Sequence, residues 1–201
     1  SGVPMDKKVW SARAIMSHPQ VVRQVHERFI EAGAEVIITN TFSTARHMLE
    51  PGGLGHEVRK INAKAVSLAQ QARDAGAQHP VAIVGSICEW THDDDPTWNS
   101  PDAVGRAAKE QAEILAESGV DIIALEMCER LELSEAVASA VTGLGLPMWI
   151  GVSARAHKDH DSLSSFSYVD RDFENLVKVL CKYSPALMNV MHTAVPDVGA
   201  A

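Results

Sequence analysis

Polar residues able to do chemistry fall at the ends of five apolar runs in this sequence: Thr39-Asn40-Thr41, Gly85-Ser86, Glu126, Ser153 and Met191-His192-Thr193. Glu126 follows Ile122-Ile123-Ala124-Leu125, and a carboxylate behind such a run is costly to bury unless it is paired. It therefore turns into a solvated mouth or receives a cation such as an amino group. His192 stands beside a threonine after Leu187-Met188-Asn189-Val190, a place from which an imidazole can hold a metal or move a proton. Cys88 and Cys128 lie just past the second and third runs, so together with His192 they can form a sulfur and nitrogen set for zinc. Each candidate also has a plainer reading: polar residues mark where a chain segment leaves the core, and reduced cysteines are ordinary buried residues. His92-Asp93-Asp94-Asp95 and His157-Lys158-Asp159-His160-Asp161 have metal-binding composition, but both sit in long polar stretches for which solvated loops are the simpler account. Trp90 and Trp98 flank the first of these stretches, as a lid or as rim packing.

The elements that must position these residues repeat along the chain. Ser17 to Pro19 reads as a helix start, Val21, Val22, Val25, Phe29 and Ile30 then recur at the three-to-four spacing of one face, and Gly33 ends the helix. Glu35-Val36-Ile37-Ile38-Thr39-Asn40 follows, β-branched and without polar alternation, as in a strand covered on both sides. The unit then returns four times. Val58, Ile61, Ala65, Leu68 and Ala72 lead to Val81–Ser86; Val104, Ala108, Gln111, Ile114 and Leu115 lead to Asp121–Glu126. Ser134, Val137 and Val141 lead to Met148–Ser153, and Phe173, Leu176, Val177 and Leu180 lead to Leu187–Met191. Helices alternating with buried strands predict an all-parallel α/β fold, because parallel neighbours need a crossover and the helix supplies it. No strand is followed by a GxGxxG turn or a P-loop, which argues against a nucleotide-binding open sheet. In either an open sheet or a closed barrel, the carboxyl ends of the strands converge on one face, and the polar set named above lies there.

Composition narrows the functions. The 201 residues, 46% hydrophobic and 22% charged, predict one domain over residues 1–201. A net charge of −8 lacks the basic surface that nucleic acid requires, so none is expected as a partner. No apolar run reaches the roughly 18 residues of a membrane span, and no signal-peptide pattern opens the chain, so a cytoplasmic protein without a membrane partner is expected. Three cysteines without a CxxC pair fit reduced thiols.

Specific strings go further than periodicity. Trp10-Ser11-Ala12, His18-Pro19, Ala32–Phe42, Gly85-Ser86-Ile87, Glu110-Gln111-Ala112, Gly119–Glu126 and Trp149–Ser153, in this order, resemble the homocysteine S-methyltransferase family. The resemblance implies a (β/α)8 barrel, of which the strands here would be the second to the sixth, with the first lying before Ser1 and the last two after Ala201. It implies zinc as cofactor, and a small-molecule thiol and a sulfonium or ammonium methyl donor as ligands. Glu126 would receive the amino group of homocysteine, with Asn40, Thr41, Ser86 and Ser153 lining the same pocket. The family places a zinc-binding cysteine at the end of the sixth strand and two adjacent ones at the end of the eighth. Here the sixth-strand place reads Val190-Met191-His192-Thr193, which makes His192 the candidate zinc ligand and, with Glu126, a candidate catalytic residue. The string Ile87-Cys88-Glu89-Trp90 stands where the family has glycine and proline. A zinc-free barrel binding another amino-acid-like ligand and a noncatalytic scaffold subunit are the competing readings, and association into homo-oligomers is left open.

Overall fold

In a computed structural model, which describes residues 2–92, 96–157, 160–199 and 201, the five predicted strands form one parallel sheet. They are β1 (Val36–Ile38), β2 (Ala82–Cys88), β3 (Ile122–Cys128), β4 (Met148–Val152) and β7 (Leu187–Val190), in the spatial order β1-β2-β3-β4-β7. Every adjacent pair is parallel. The crossovers are α4 (Val58–Gly76), α5 (Pro101–Glu117), α6 (Leu131–Val141) and α7 (Phe173–Leu180), with α2 (Pro19–Glu31) leading into β1. Local chemistry fixes their ends. Ser100 caps α5 by accepting the Ala103 amide ahead of Pro101, Asp172 caps α7 through the Asn175 amide, and Gly33 and Gly119 take the positive φ that closes α2 and α5.

The register separates two faces. Ile37, Ile83, Ile123, Leu125 and Ile150 point to the helices and join Ile30, Val66, Leu115, Val137 and Leu176 in one core. Burying each of these side chains stabilises the fold by roughly 1.5–3 kcal/mol. Alternation puts Val36, Ile38, Ser86, Glu126, Trp149, Gly151, Leu187 and Asn189 on the other face. At its edges that face is uncovered: Val36, Ile38 and Leu187 are 38%, 45% and 42% exposed. An all-parallel sheet with helices on one side and apolar side chains bared on the other is an arc of a (β/α)8-type barrel, with those side chains on its inner wall.

Four elements depart from the sequence reading. A short helix α1 (Ala12–Ser17) precedes α2, and α3 (Arg46–Leu49) follows β1. The polar stretch after β4 forms an antiparallel pair, β5 (Ala154–His157) and β6 (His160–Ser165), rather than an irregular loop. Its strands carry serine, arginine and histidine instead of an apolar run, which is why they read as loop. Asp93, Asp94, Asp95, Lys158 and Asp159, and the side chains of His157, His160 and Asp161, from the two histidine-rich stretches, lie outside the described residues.

A buried polar knot ties α5 to the ends of β1 and β2. The Gln111 side-chain amide lies 2.8 Å from the Thr41 carbonyl, 3.0 Å from Thr44 Oγ1 and 3.3 Å from the Ser86 carbonyl. Asn62 joins it by donating to the Thr44 and Val58 carbonyls, both at 2.9 Å. Gln111→Ala is expected to lower stability by about 1–2 kcal/mol, read as a lower urea midpoint, because it removes a buried donor that the Thr41 and Ser86 carbonyls share with the Thr44 and Thr41 hydroxyls. An unchanged midpoint would show that the knot is dispensable.

Candidate active site at the carboxyl ends of the strands

The strand ends form one polar layer, and its members do different work. Thr41 is fully buried and its hydroxyl is consumed by the scaffold: it donates to the Ser86 carbonyl at 2.8 Å and accepts the Ser86 amide at 3.0 Å, extending the β1–β2 pairing through a side chain. Asn40 is turned to Ser11, accepting its hydroxyl at 2.7 Å and donating to its carbonyl at 3.0 Å. That clamp sets Trp10, whose ring stacks on Phe42 at 5.8 Å and meets Trp90 at 4.7 Å. Trp90 is thus rim packing against an aromatic cluster in which Trp10 and Phe42 were not foreseen. Their spacing of 32 and 48 residues hides the cluster from any local pattern.

Ser86 and Glu126 meet across β2 and β3. The Ser86 hydroxyl donates to Glu126 Oε2, across strands whose register sets Ser86 opposite Ala124 and Cys88 opposite Glu126. Burial pushes the Glu126 carboxyl above the usual carboxylate range, while the Ser86 hydrogen bond and the nearby His192 pull it back. His192 is therefore within electrostatic reach of Glu126, and of Glu129 as well. Its side chain is exposed and its φ is +50°, a left-handed conformation uncommon for histidine. At this strand end the inward side chain is Met191. A Cβ on Gly151 would fall 2.6 Å from Met191 Sδ and 3.1 Å from Asn189 Oδ1, so glycine is what lets the thioether lie across β4. The Met127 amide, on a residue at φ +61° in the irregular end of β3, points at the same sulfur at 3.2 Å.

Beyond β2 and β3 lies a buried ion pair that the sequence reading did not single out. Glu89 Oε1 accepts the Glu129 and Arg130 amides at 2.8 and 2.7 Å, and Oε2 accepts the Ser134 hydroxyl. Arg130 returns to the Glu89 carbonyl at 2.8 Å, to Asn99 Oδ1 at 3.0 Å and to Thr91 Oγ1 at 3.1 Å. Glu89 thereby caps the N-terminus of α6 and locks the β2 and β3 loops together. The one available signal was Glu89 itself, in the string noted as a departure.

For zinc, the donors among the described residues are incomplete. Among the described residues no group of three His, Cys, Asp or Glu side chains is placed to hold a metal ion. Cys88 is buried and donates its thiol to the Phe42 carbonyl, and burial pushes the thiols of both Cys88 and Cys128 well up, away from the thiolate a metal needs. They do not join His192 as a sulfur and nitrogen set.

The family model described as homocysteine S-methyltransferase matches residues 3–192. This chain belongs to the homocysteine S-methyltransferase family. It is 25% identical over 202 residues to the rat S-methylmethionine–homocysteine S-methyltransferase BHMT2, covering 95% of this chain and 52% of the relative. Maize homocysteine S-methyltransferase 2 is 26% identical over 177 residues, covering 77% of this chain and 52% of the relative. The chain thus spans about half the length of these curated relatives. The metallated homocysteine methyltransferase MmuM of Escherichia coli shares the fold across the whole chain, with a TM-score of 0.82, 22% identity and 72% of that structure covered. Family membership accounts for the parallel arc. No described helix is long and apolar enough to cross a membrane.

Proposed function

We propose that this chain carries the amino-thiol site of an S-methyltransferase that passes a methyl group from a sulfonium or ammonium donor to the sulfur of homocysteine or a closely related thiol. The observation that carries the reading is Glu126: a largely buried carboxylate on the inner wall, held by Ser86 and within electrostatic reach of His192. A ligand ammonium group is the partner such a carboxylate lacks. In the transfer, the carbon–sulfur bond to homocysteine forms as the donor's carbon–sulfur or carbon–nitrogen bond breaks in line, the donor leaves uncharged and the thiol proton goes to solvent. Ser86 orients Glu126, while Thr41 and Asn40 position these loops from within the scaffold. Ser153 lines the same wall.

The remaining barrel strands are proposed to come from residues outside these 201, which would cover the bared Val36, Ile38 and Leu187. Zinc, when bound, supplies a thiolate by lowering the thiol pKa. His192 is proposed as a ligand, and the described residues do not complete a site. Metal analysis of the protein and its His192→Ala variant tests this. Less zinc in the variant is expected, and equal zinc removes His192 as a ligand.

Calorimetry with L-homocysteine tests the site itself. Glu126→Gln is expected to weaken L-homocysteine about 10–30-fold, equivalent to about 1.4–2 kcal/mol, and to leave 3-mercaptopropanoate, which lacks the amine, unchanged. The affinity of the unaltered protein should fall as pH drops through the raised Glu126 pKa, since the ligand amine stays charged while the carboxylate is lost. Equal loss for both thiols would overturn the assignment.

A further inference from the structure

Between α2 and the outer edge of β1 lies a slot of about 380 Å³, walled by Val3, Met5, Val22, Val25, His26 and Ile38. β1 is an end strand of its sheet. The Glu35 carbonyl and the Thr39 amide bond to β2, so by strand alternation the amides and carbonyls of Val36 and Ile38 face away from it, along the free edge. The apolar walls are bare there, with Val25 and Ile38 both exposed. One wall is polar. His26 is only 6% exposed, yet its Nε2 has no partner among the described residues. Burial pushes its pKa down, so the ring is neutral near pH 7, with one N–H to give and one lone pair to fill. A buried polar atom left without a partner is rare enough to need a cause.

The layout of the chain says what belongs in the slot. α4, α5, α6 and α7 each lead from one strand to its parallel neighbour in the sheet. α2 leads into β1 in the same way, but among the described residues no strand of this sheet stands before it. A helix that crosses over to a parallel strand starts from a strand beside it. Val3 and Met5 line the slot, so the chain already enters the molecule at the place such a strand would leave. We propose that the residues preceding Ser1 in the full-length protein add to the free edge of β1 as a parallel strand, and that His26 positions this strand by a hydrogen bond from Nε2 to one of its polar atoms. The proposal rests on the barrel closure put forward above and goes beyond it in naming the edge, the strand direction and the side chain that holds it.

Two measurements on the full-length protein test it, and neither involves a thiol, so the amino-thiol reading is untouched by either result. With Val25 replaced by p-benzoylphenylalanine, irradiation is expected to cross-link the slot to residues before Ser1, located by mass spectrometry of the digest. Hydrogen exchange reads the contribution of His26. His26→Phe keeps a ring in place without its polar atoms, and is expected to speed amide exchange at Val36 and Ile38 at least tenfold while Ile83 and Ile123 change less than twofold. His26→Gln keeps a hydrogen-bonding group and should restore part of that protection. A cross-link to the preceding residues with exchange unmoved by His26→Phe overturns the role of His26 and leaves the closure standing. Equal acceleration at Ile83 and Ile123 also overturns that role, since His26 would then support the whole core. A cross-link to a second copy, to another protein or to residues after Ala201 overturns the placement of the strand. If no cross-link forms and Val36 and Ile38 exchange without protection in the unaltered protein, the edge is open and the closure fails with the proposal.

Discussion

Arg130→Met is expected to cost about 3–5 kcal/mol of stability at pH 8, the largest single effect in the molecule, because it leaves the Glu89 carboxylate buried without its cation. Methionine keeps much of the arginine stem's volume, so the loss comes from charge and hydrogen bonds rather than from a cavity. The sign with pH follows from Glu89. Burial pushes its carboxyl up to about 7, against the pull of Ser134, the two loop amides and Arg130. A raised folded pKa means that the folded state holds this proton more tightly than the unfolded chain, so the contribution of Glu89 to stability is fullest below about 4.5 and declines as pH rises towards about 7. Removing Arg130 raises the folded pKa further. The variant's deficit should therefore be large at pH 8 and distinctly smaller at pH 5, where Glu89 is protonated with or without the arginine. Urea midpoints of both proteins at the two pH values measure it. A deficit that does not depend on pH would mean that packing, not the buried charge, is what Arg130 contributes. Glu89→Gln combined with Arg130→Met should recover part of the loss, since neither charge then remains.

The contrast between this pair and the sheet shows what a sequence can disclose. Val81–Ser86 and Asp121–Glu126 were readable as strands because a parallel strand buried on both faces must be apolar at every position, and that constraint is local. Ser86 and Glu126 were readable as candidate site residues for the same reason: they are where each apolar run stops. Thr41 and Asn40 occupy equivalent places yet serve the scaffold, and nothing in their spacing separates a hydroxyl that faces a ligand from one that completes a strand pairing. The Glu89–Arg130 lock joins residues 41 positions apart in two loops, and Glu129 and Ser153 become neighbours only through the segment after β6. Contacts of that kind depend on the sheet register, which composition does not encode. At the sixth-strand place, the sequence pointed to His192 because its imidazole is the better ligand, while the backbone turns that residue outward and lays Met191 along the wall.

That placement of Met191 makes Gly151 the most sensitive position on the inner wall. Gly151→Val is expected to cost about 3 kcal/mol, at the upper end for an overpacked core, because the first added carbon would meet Met191 Sδ at 2.6 Å and Asn189 Oδ1 at 3.1 Å before the branch is counted. The sulfur cannot simply swing aside, since Met191 is anchored to β4 by its amide, which donates to the Val152 carbonyl at 2.9 Å, and its thioether faces the Met127 amide. Moving it would strip that amide of its acceptor and disturb the turn that sets Glu126 and Glu129. Two consequences follow from one clash: a lower melting temperature and weaker binding of amine-bearing ligands. The test is a double-mutant cycle with Met191→Ala, which removes the sulfur and leaves room for valine. If Gly151→Val costs as much in the Met191→Ala background as in the unaltered protein, the glycine is needed for its backbone alone. If most of the cost disappears, the thioether is what this stretch of wall was shaped to hold.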